Sequence, residues 1–138
     1  MNLISTHVCK GQNIGVHGNL FGGVMLAWLD EAGAAFTAQV CGSPRMVTKC
    51  ISQVVFQRPV RPGQIIKIYG DVISIGTSSI NVKLEARRHS VVNGSQKTVC
   101  AVEMIFVRID GDGESVPILN IKKEYRDRRK KQKIENET

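Results

Sequence analysis

A glycine-rich loop, one histidine and one carboxylate stand where they could act together. The run from Lys10 to Gly23, KGQNIGVHGNLFGG, holds five glycines in fourteen residues. It feeds VMLAWLDEAGAAFTAQVC, which has no proline and only two charges, Asp30 and Glu31. Glycine lets backbone approach a ligand closely. The first turn of a helix presents N–H groups with no internal partner, and these can hold an anion or a developing oxyanion. Asp30 falls seven residues past Gly23, about two turns further on. The spacing therefore predicts it on the same side of the helix as those N–H groups. A carboxylate in an apolar helix beside such donors can serve as general base or nucleophile. The competing reading is a buried structural carboxylate held by an arginine or by backbone N–H. His17 could equally be a loop residue bonding locally, and Gly22-Gly23 a point of close helix–sheet packing. No GK[ST] follows the loop and it is not GxGxxG, so neither phosphate-binding motif applies.

These residues need a scaffold, and the pattern of the chain supplies one. Leu3–Cys9 reads as a short first strand. The apolar segment reads as a helix from about Phe21 to Cys41, stopped by Gly42 and Pro44. A helix apolar nearly all round is expected to be buried. Ala27, Gly33, Ala34 and Ala38 are small enough to let a sheet come close. After Pro44 the pattern changes to period two. Strands are expected at Met46–Phe56, Gln64–Ile75, Ser79–His89 and Lys97–Ile109, with turns at Arg58–Gly63, Gly76–Ser78, Asn93-Gly94 and Asp110–Gly113. In the third of these strands Ile80, Val82, Leu84 and Ala86 alternate with Asn81, Lys83, Glu85 and Arg87, the mark of a sheet with one covered face. The class is α+β: an antiparallel sheet wrapped around one long helix. Its open edges predict self-association.

Composition narrows the choices. The 138 residues suit one domain, placed at 1–121, with a basic tail at 122–138. The tail carries +4 of the net +7. It reads as a surface helix or a solvated end. No window is long and apolar enough for a membrane span, and the N-terminus shows no secretory pattern, so the cytoplasm is expected. Cys9, Cys41, Cys50 and Cys100 lie far apart, as do His7, His17 and His89, and none has metal-ligand spacing. The cysteines are expected to be buried, reduced thiols. Asp110-Gly-Asp-Gly is too short for a calcium loop and reads as a turn.

The motifs together resemble a known family. His17-Gly18-x-x-x-Gly22-Gly23 followed by Asp30-Glu31-Ala32-Gly33 is similar to the signature of hotdog-fold acyl-CoA thioesterases of the YciA-like, acyl-CoA hydrolase type. Val54-Val55-Phe56-Gln57-Arg58-Pro59-Val60-x-x-Gly63, Gly76-Thr77-Ser78-Ser79, and Ala101–Val107 with Asp110 and Pro117 extend the resemblance over residues 5–118 in order. It implies hydrolysis of acyl-CoA, in fatty acid metabolism, with no cofactor beyond the CoA of the substrate. By position, Asp30 takes the place of the catalytic aspartate. Gly22, Gly23, Val24 and Met25 fall where the helix start holds the thioester carbonyl and adjoining CoA. Gln53, Val54 and Val55 fall beside the pantetheine arm, with Arg58 just beyond. Thr77, Ser78 and Ser79 fall at the partner subunit's contribution, and Arg126, Arg128, Arg129 and Lys130 could reach the nucleotide phosphates. The resemblance implies dimers with paired central helices, assembled as trimers of dimers, with no nucleic-acid or membrane partner. Gly15 stands where many members have Asn, Asn19 where many have Asp, and Gln64 replaces an Asp. The helper of Asp30 therefore stays open between His17 and Asn19. The alternative is a hotdog module that binds acyl-CoA or CoA without turning it over. A third reading, dehydration of a hydroxyacyl thioester, would need a His–acid pair at the helix.

Overall fold

The computed structural model describes residues 1–129. Five strands and one long helix follow the expected order: β1 (Asn2–Val8), α1 (Gly22–Cys41), β2 (Met46–Phe56), β3 (Ile65–Ile75), β4 (Ser79–His89) and β5 (Gln96–Arg108). Short 3-10 helices occur at Gly11–Asn13 and Lys123–Arg128. The sheet order is β1-β3-β4-β5-β2, and every pairing is antiparallel. This is the expected sheet around one helix. Two connections differ from a simple meander: α1 joins the edge strands β1 and β2 across the sheet, and the link from β2 to β3 crosses it again. The segment after Phe56 carries the chain from the β2 edge, past β5 and β4, to β3. Pro59 and Pro62 stiffen this crossover.

The core lies between the sheet's concave face and α1. Ile80, Val82, Leu84 and Ala86 are fully buried, as the alternation in β4 predicts. They meet Met25, Leu29, Phe36 and Val40 of the helix. Each large side chain so buried contributes roughly 1.5–3 kcal/mol. Gly33 allows the close approach: a methyl there would lie 2.7 Å from Cζ of Phe106. Gly42 closes α1 in the left-handed conformation, its N–H donating to the Ala38 carbonyl.

The helix is not buried all round. The sheet covers one side only, so Gly23, Ala27 and Ala35 are exposed and Val24, Ala34 and Ala38 half-buried. Edge strand β2 is uncovered as well, with Ile51, Val55 and Phe56 between 41% and 53% exposed. The single chain thus leaves an apolar helix face and an apolar edge strand open side by side. β2 is also irregular. Its register with β5 shifts between Thr48 and Cys50 and between Ser52 and Val55. At the second bulge Gln53 has φ 51°, the one positive φ outside glycine among the described residues. That bulge turns Val54 and Phe56 toward the helix side.

Cys9, Cys41 and Cys100 are buried free thiols, but Cys50 is exposed, which corrects the expectation for that residue. It pairs with Ile105, whose neighbours Met104 and Phe106 point into the core, so the Cys50 side chain faces outward. Burial pushes the thiols of Cys41 and Cys100 up to about 11. Asp110–Gly113 forms the expected turn, with Oδ1 of Asp110 accepting from the N–H of Asp112 and Glu114. No helix among the described residues is long and apolar enough to cross a membrane.

Residues 118–129 strap one end of the domain. Ile118, Ile121 and Tyr125 are buried. Tyr125 meets Phe36 edge to face and accepts a hydrogen bond from the Asn2 amide. The segment is a strap ending in one short 3-10 helix rather than a surface helix. The rest of the tail, with Lys130, lies outside the described residues.

Candidate active site

The glycine loop folds back on itself before entering the helix. Ile14 and Leu20 form an antiparallel bridge, and the Gly15 N–H donates to the Asn19 carbonyl at 2.8 Å. His17 sits exposed near the tip. The loop is fixed by two bonds, Leu20 N–H to Val60 O at 2.7 Å and Phe21 N–H to Asn13 O at 2.9 Å. Phe21 is the N-cap and offers no side-chain cap. Its carbonyl takes the N–H groups of Val24 and Met25. The N–H groups of Gly22 and Gly23 have no acceptor among the described residues, so two donors face outward as the sequence predicts. A methyl on Gly23 would lie 2.9 Å from the exposed Phe21 ring, so the ring would have to move aside to admit one.

A cleft of about 390 Å³ opens beside this helix start. Asn19, Gly22 and Met25 form one side of it, and Phe56, Arg58 and Val60 the other. Oδ1 of Asn19 is buried without a hydrogen-bond partner among the described residues. A buried acceptor left in this way costs free energy unless a ligand or water supplies a donor. Arg58 is steadied by a bond from Nη1 to the Thr98 carbonyl at 2.6 Å.

Asp30 lies on the face of the helix that the spacing predicts. Its carboxylate is half-buried. Among the described residues, neither an arginine nor a backbone N–H holds it. Oγ1 of Thr48, on β2, donates to Oδ1 at 2.5 Å. Asp30 does share a side of the helix with Gly23. Seven residues of helix, however, separate them by about 10.5 Å along the axis at ~1.5 Å per residue. A carbonyl held at Gly23 is therefore out of reach of Asp30 in the same chain. Within one chain, the two residues do not form one site.

The remaining candidates divide in the same way. Thr48 pairs with Phe106, and Phe106 with Ile80, so Asp30 lies at the end of the sheet that carries the Thr77-Ser78-Ser79 turn. There the Thr77 carbonyl accepts from the Ile118 N–H and from Arg129. The Ser78 carbonyl accepts from the Arg108 N–H, and Oγ of Ser79 lies against Gly76. Arg129 also bonds the Ile118 carbonyl and Arg126 the Ile121 carbonyl, so both tail arginines are tied to their own chain. Arg128 pairs with Asp71 and Asp127. Phe56 pairs with Cys100, which puts the cleft and Arg58 at the far end of the sheet, roughly 20 Å from the turn at ~3.3 Å per strand residue. Gln53, Val54 and Val55 lie between the two ends on the open edge, and Val24 lies on the open face of the helix.

Sequence reasoning missed Thr48 and Phe56. Counting by two from buried Met46 puts Thr48 on the helix side of β2, so its hydroxyl had a signal. The same count reaches Phe56, because the two bulges of β2 cancel, so Phe56 had that signal too. His7, read only as scattered, stacks on Trp28 with ring centroids 4.6 Å apart. Burial lowers its pKa, opposed by the charge of Glu31. Trp28 lies some 140° round the helix from Gly23 at ~100° per residue, so this pair is not part of the Gly23–Asp30 face.

Residues 17–94 match the family described as the thioesterase superfamily. The acyl-CoA thioester hydrolase YciA of Salmonella typhimurium is 28% identical over 105 residues, which is 74% of this chain and 78% of the relative. Among solved structures, a hexameric hotdog fold thioesterase of Campylobacter jejuni superposes with TM-score 0.78 at 31% identity, covering 86% of this chain and 91% of that one. A hexameric broad specificity acyl-coenzyme A thioesterase, in a variant with one aspartate changed to alanine, superposes with TM-score 0.81 at 25% identity, covering 86% of each chain.

Proposed function

The chain belongs to the thioesterase superfamily, and on that footing we propose that it is an acyl-CoA thioester hydrolase, releasing a free carboxylic acid and CoA. The observation that carries this reading is the pair of free N–H groups at Gly22 and Gly23 on the first turn of the helix, where Gly22 lines a cleft. The same helix bears a carboxylate two turns on, oriented by Thr48. The N–H of Gly23 polarises the thioester carbonyl. Asp30 takes a proton from a water that attacks the carbonyl carbon, or attacks it directly to give an anhydride that water then opens. The C–S bond breaks, and CoA leaves as a thiolate that gains a proton. Asn19 and His17 flank the loop. Asn19, a residue of the cleft wall, is the better placed to contact the substrate.

The separation of Gly23 from Asp30 calls for two copies. An antiparallel pair of α1 helices related by a two-fold axis near Ala27, midway between them, would set Gly23 of one copy level with Asp30 of the other. The open helix face and edge strand support this dimer, since both are apolar and uncovered in one chain. CoA then runs along β2 past Gln53, Val54 and Val55, beside Met25 and Val24. The second copy brings its Thr77, Ser78 and Ser79 to the CoA end, with Arg126 and Arg129 behind them. Three such dimers would make a hexamer, the assembly of the Campylobacter jejuni protein. The substrate needs no cofactor besides its own CoA, and the cytoplasm, where acyl-CoA is used, fits as its compartment.

The test is thiol release from a series of acyl-CoA substrates by the wild type and by Asp30→Asn. Loss of at least 100-fold in kcat, with CoA binding retained, is the expected result. Near-normal turnover in the variant would remove Asp30 from the mechanism. CoA binding by a wild type that releases no thiol would instead make the chain a binding module.

A further inference from the structure

The hairpin that joins β4 to β5 ends in two valines. Val91 and Val92 are 72% and 92% exposed, the most open pair of consecutive large apolar side chains among the described residues. The turn that carries them is firmly built. The Ser90 N–H donates to the Ser95 carbonyl at 2.9 Å, and the Gly94 N–H to the Ser90 carbonyl at 2.8 Å. Oδ1 of Asn93 accepts from the Ser95 N–H, and Gly94 takes a φ of 74°, which suits glycine. Turn positions ordinarily go to Gly, Pro, Asn, Asp or Ser. The two valines are no part of the core, so the fold gives no reason for them. Cations surround this tip. Arg88 and Lys97 stand opposite each other across β4 and β5, and with both valines and Gly63 they line a cleft of about 370 Å³. Arg61 stands two residues before Gly63. Lys10 follows Cys9, whose carbonyl accepts from the Gly63 N–H. Segments 57–64 and 88–97 hold four Lys/Arg and no Asp/Glu. Nη1 of Arg88 reaches only the neutral Pro59 carbonyl, at 3.3 Å, which leaves its charge unneutralised. Glu85, the nearest acid along β4, is already paired with Arg87 at 3.1 Å. The turn at Asp110–Gly113 and the strap with Glu124 and Asp127 put further acids at the other end of the sheet.

We infer that this end of the domain docks on an anionic lipid surface, with Val91 and Val92 entering the interface and Arg61, Arg88 and Lys97 meeting the headgroups. An apolar tip within a ring of cations matches such a surface in both of its properties, apolar depth and negative charge. Other partners match only one. A nucleic acid rewards the cations and gains nothing from exposed valines. A folded protein partner needs about 800 Å² from each side, far more than two valines offer, whereas fluid lipid moulds itself around a projecting tip. The long stems of Arg and Lys let their charges stay at headgroup level while the valines go deeper. Docking of this kind needs no membrane-crossing helix. It departs from the expectation of no membrane partner, and it stands independently of the acyl-CoA reading.

The experiment is flotation of the full chain with vesicles of phosphatidylcholine alone and with vesicles of equal parts phosphatidylcholine and phosphatidylglycerol. The same measurement is made on Val91→Ser/Val92→Ser and on Arg88→Gln/Lys97→Gln, with thermal melts to show that each still folds. Wild type should float with the anionic vesicles, less so as salt rises, and should stay behind with the neutral ones. Loss of the two cations should weaken binding about 25-fold, at roughly fivefold for each cation near an anionic surface. Loss of the two valines should weaken it by about tenfold or more. A wild type that ignores the anionic vesicles overturns the proposal, and so does equal binding to both kinds. A folded valine variant that binds like wild type removes the tip from the contact and overturns it as well. Salt-sensitive binding of a DNA duplex through Arg88 and Lys97, with no binding to vesicles, makes the patch a nucleic-acid site instead.

Discussion

Thr48 offers the sharpest test of how Asp30 is made ready for chemistry. Its hydroxyl is the one hydrogen-bond donor to the carboxylate among the described residues, at 2.5 Å from Oδ1. Thr48→Val keeps the shape and β-branching and removes only the donor. A hydrogen bond to a charged group is worth roughly 1.5–3 kcal/mol. Thr48 is exposed in the single chain, so the lower figure applies, and about 1.4 kcal/mol is a factor of ten in rate. The expectation is a fall in kcat of about tenfold with KM changed little, because the residue orients the carboxylate and does not touch CoA. Thr48→Ser keeps the hydroxyl and should recover most of the rate. Steady-state thiol release at saturating acyl-CoA reads all three proteins, and the melting midpoint should move by only a degree or two. A valine variant within twofold of wild type, or a serine variant as slow as the valine one, would show that the Thr48 contact has no part in positioning Asp30.

Three further outcomes follow from packing and charge. Tyr125→Ala empties a buried site between Phe36 and Asn2, so stability measured by urea unfolding should fall by about 3–5 kcal/mol; an effect below 1 kcal/mol would mean that the strap is only loosely applied. His7 has its pKa lowered by burial against Trp28. The unfolded chain therefore binds the proton more readily, and this residue's contribution is complete above pH 6.5 and is lost as pH falls through the lower folded value. Melting curves between pH 5 and 7.5 should thus rise with pH in the wild type and flatten in His7→Phe, and equal slopes would refute the assignment. Gln53→Gly keeps the bulge and relieves a φ of 51°, so it should cost little or add up to about 1 kcal/mol of stability, while Gln53→Val should lose stability and thermal midpoint together.

The fold was legible because its signals are local and repeated. The alternation of Ile80, Val82, Leu84 and Ala86 fixes a covered face, and the helix begins within one residue and ends at the residue that Gly42 and Pro44 predict. Strand order was not legible. Nothing in RPVRPG says that it crosses two strands instead of turning back, because its prolines fit either path. Burial of the helix was misread for a related reason. Val24, Ala27, Ala34 and Ala38 look like core in composition, and only the reach of the sheet shows that they stay open in one chain. Composition reports that a surface is apolar, and does not report whether the same chain or another copy covers it.

That distinction also decides how the site is read. The sequence places Gly23 and Asp30 on one side of one helix, which suggests that they meet at one substrate. Rotation about the axis does agree, but rise along it does not, since seven residues carry the chain about 10.5 Å. Spacing in a helix therefore gives two independent facts, a face and a distance, and a catalytic pair needs both. Here the face is shared and the distance is too long, so each chain carries two half-sites at opposite ends of the sheet. Asp30 with Thr48 makes one, and Gly22, Gly23 and Arg58 make the other. A two-fold axis across the open helix face exchanges the ends and makes two complete sites from four halves. The apolar character of α1 and the separation of its two functional residues then have one cause: the face that carries the chemistry is also the face that another copy must cover.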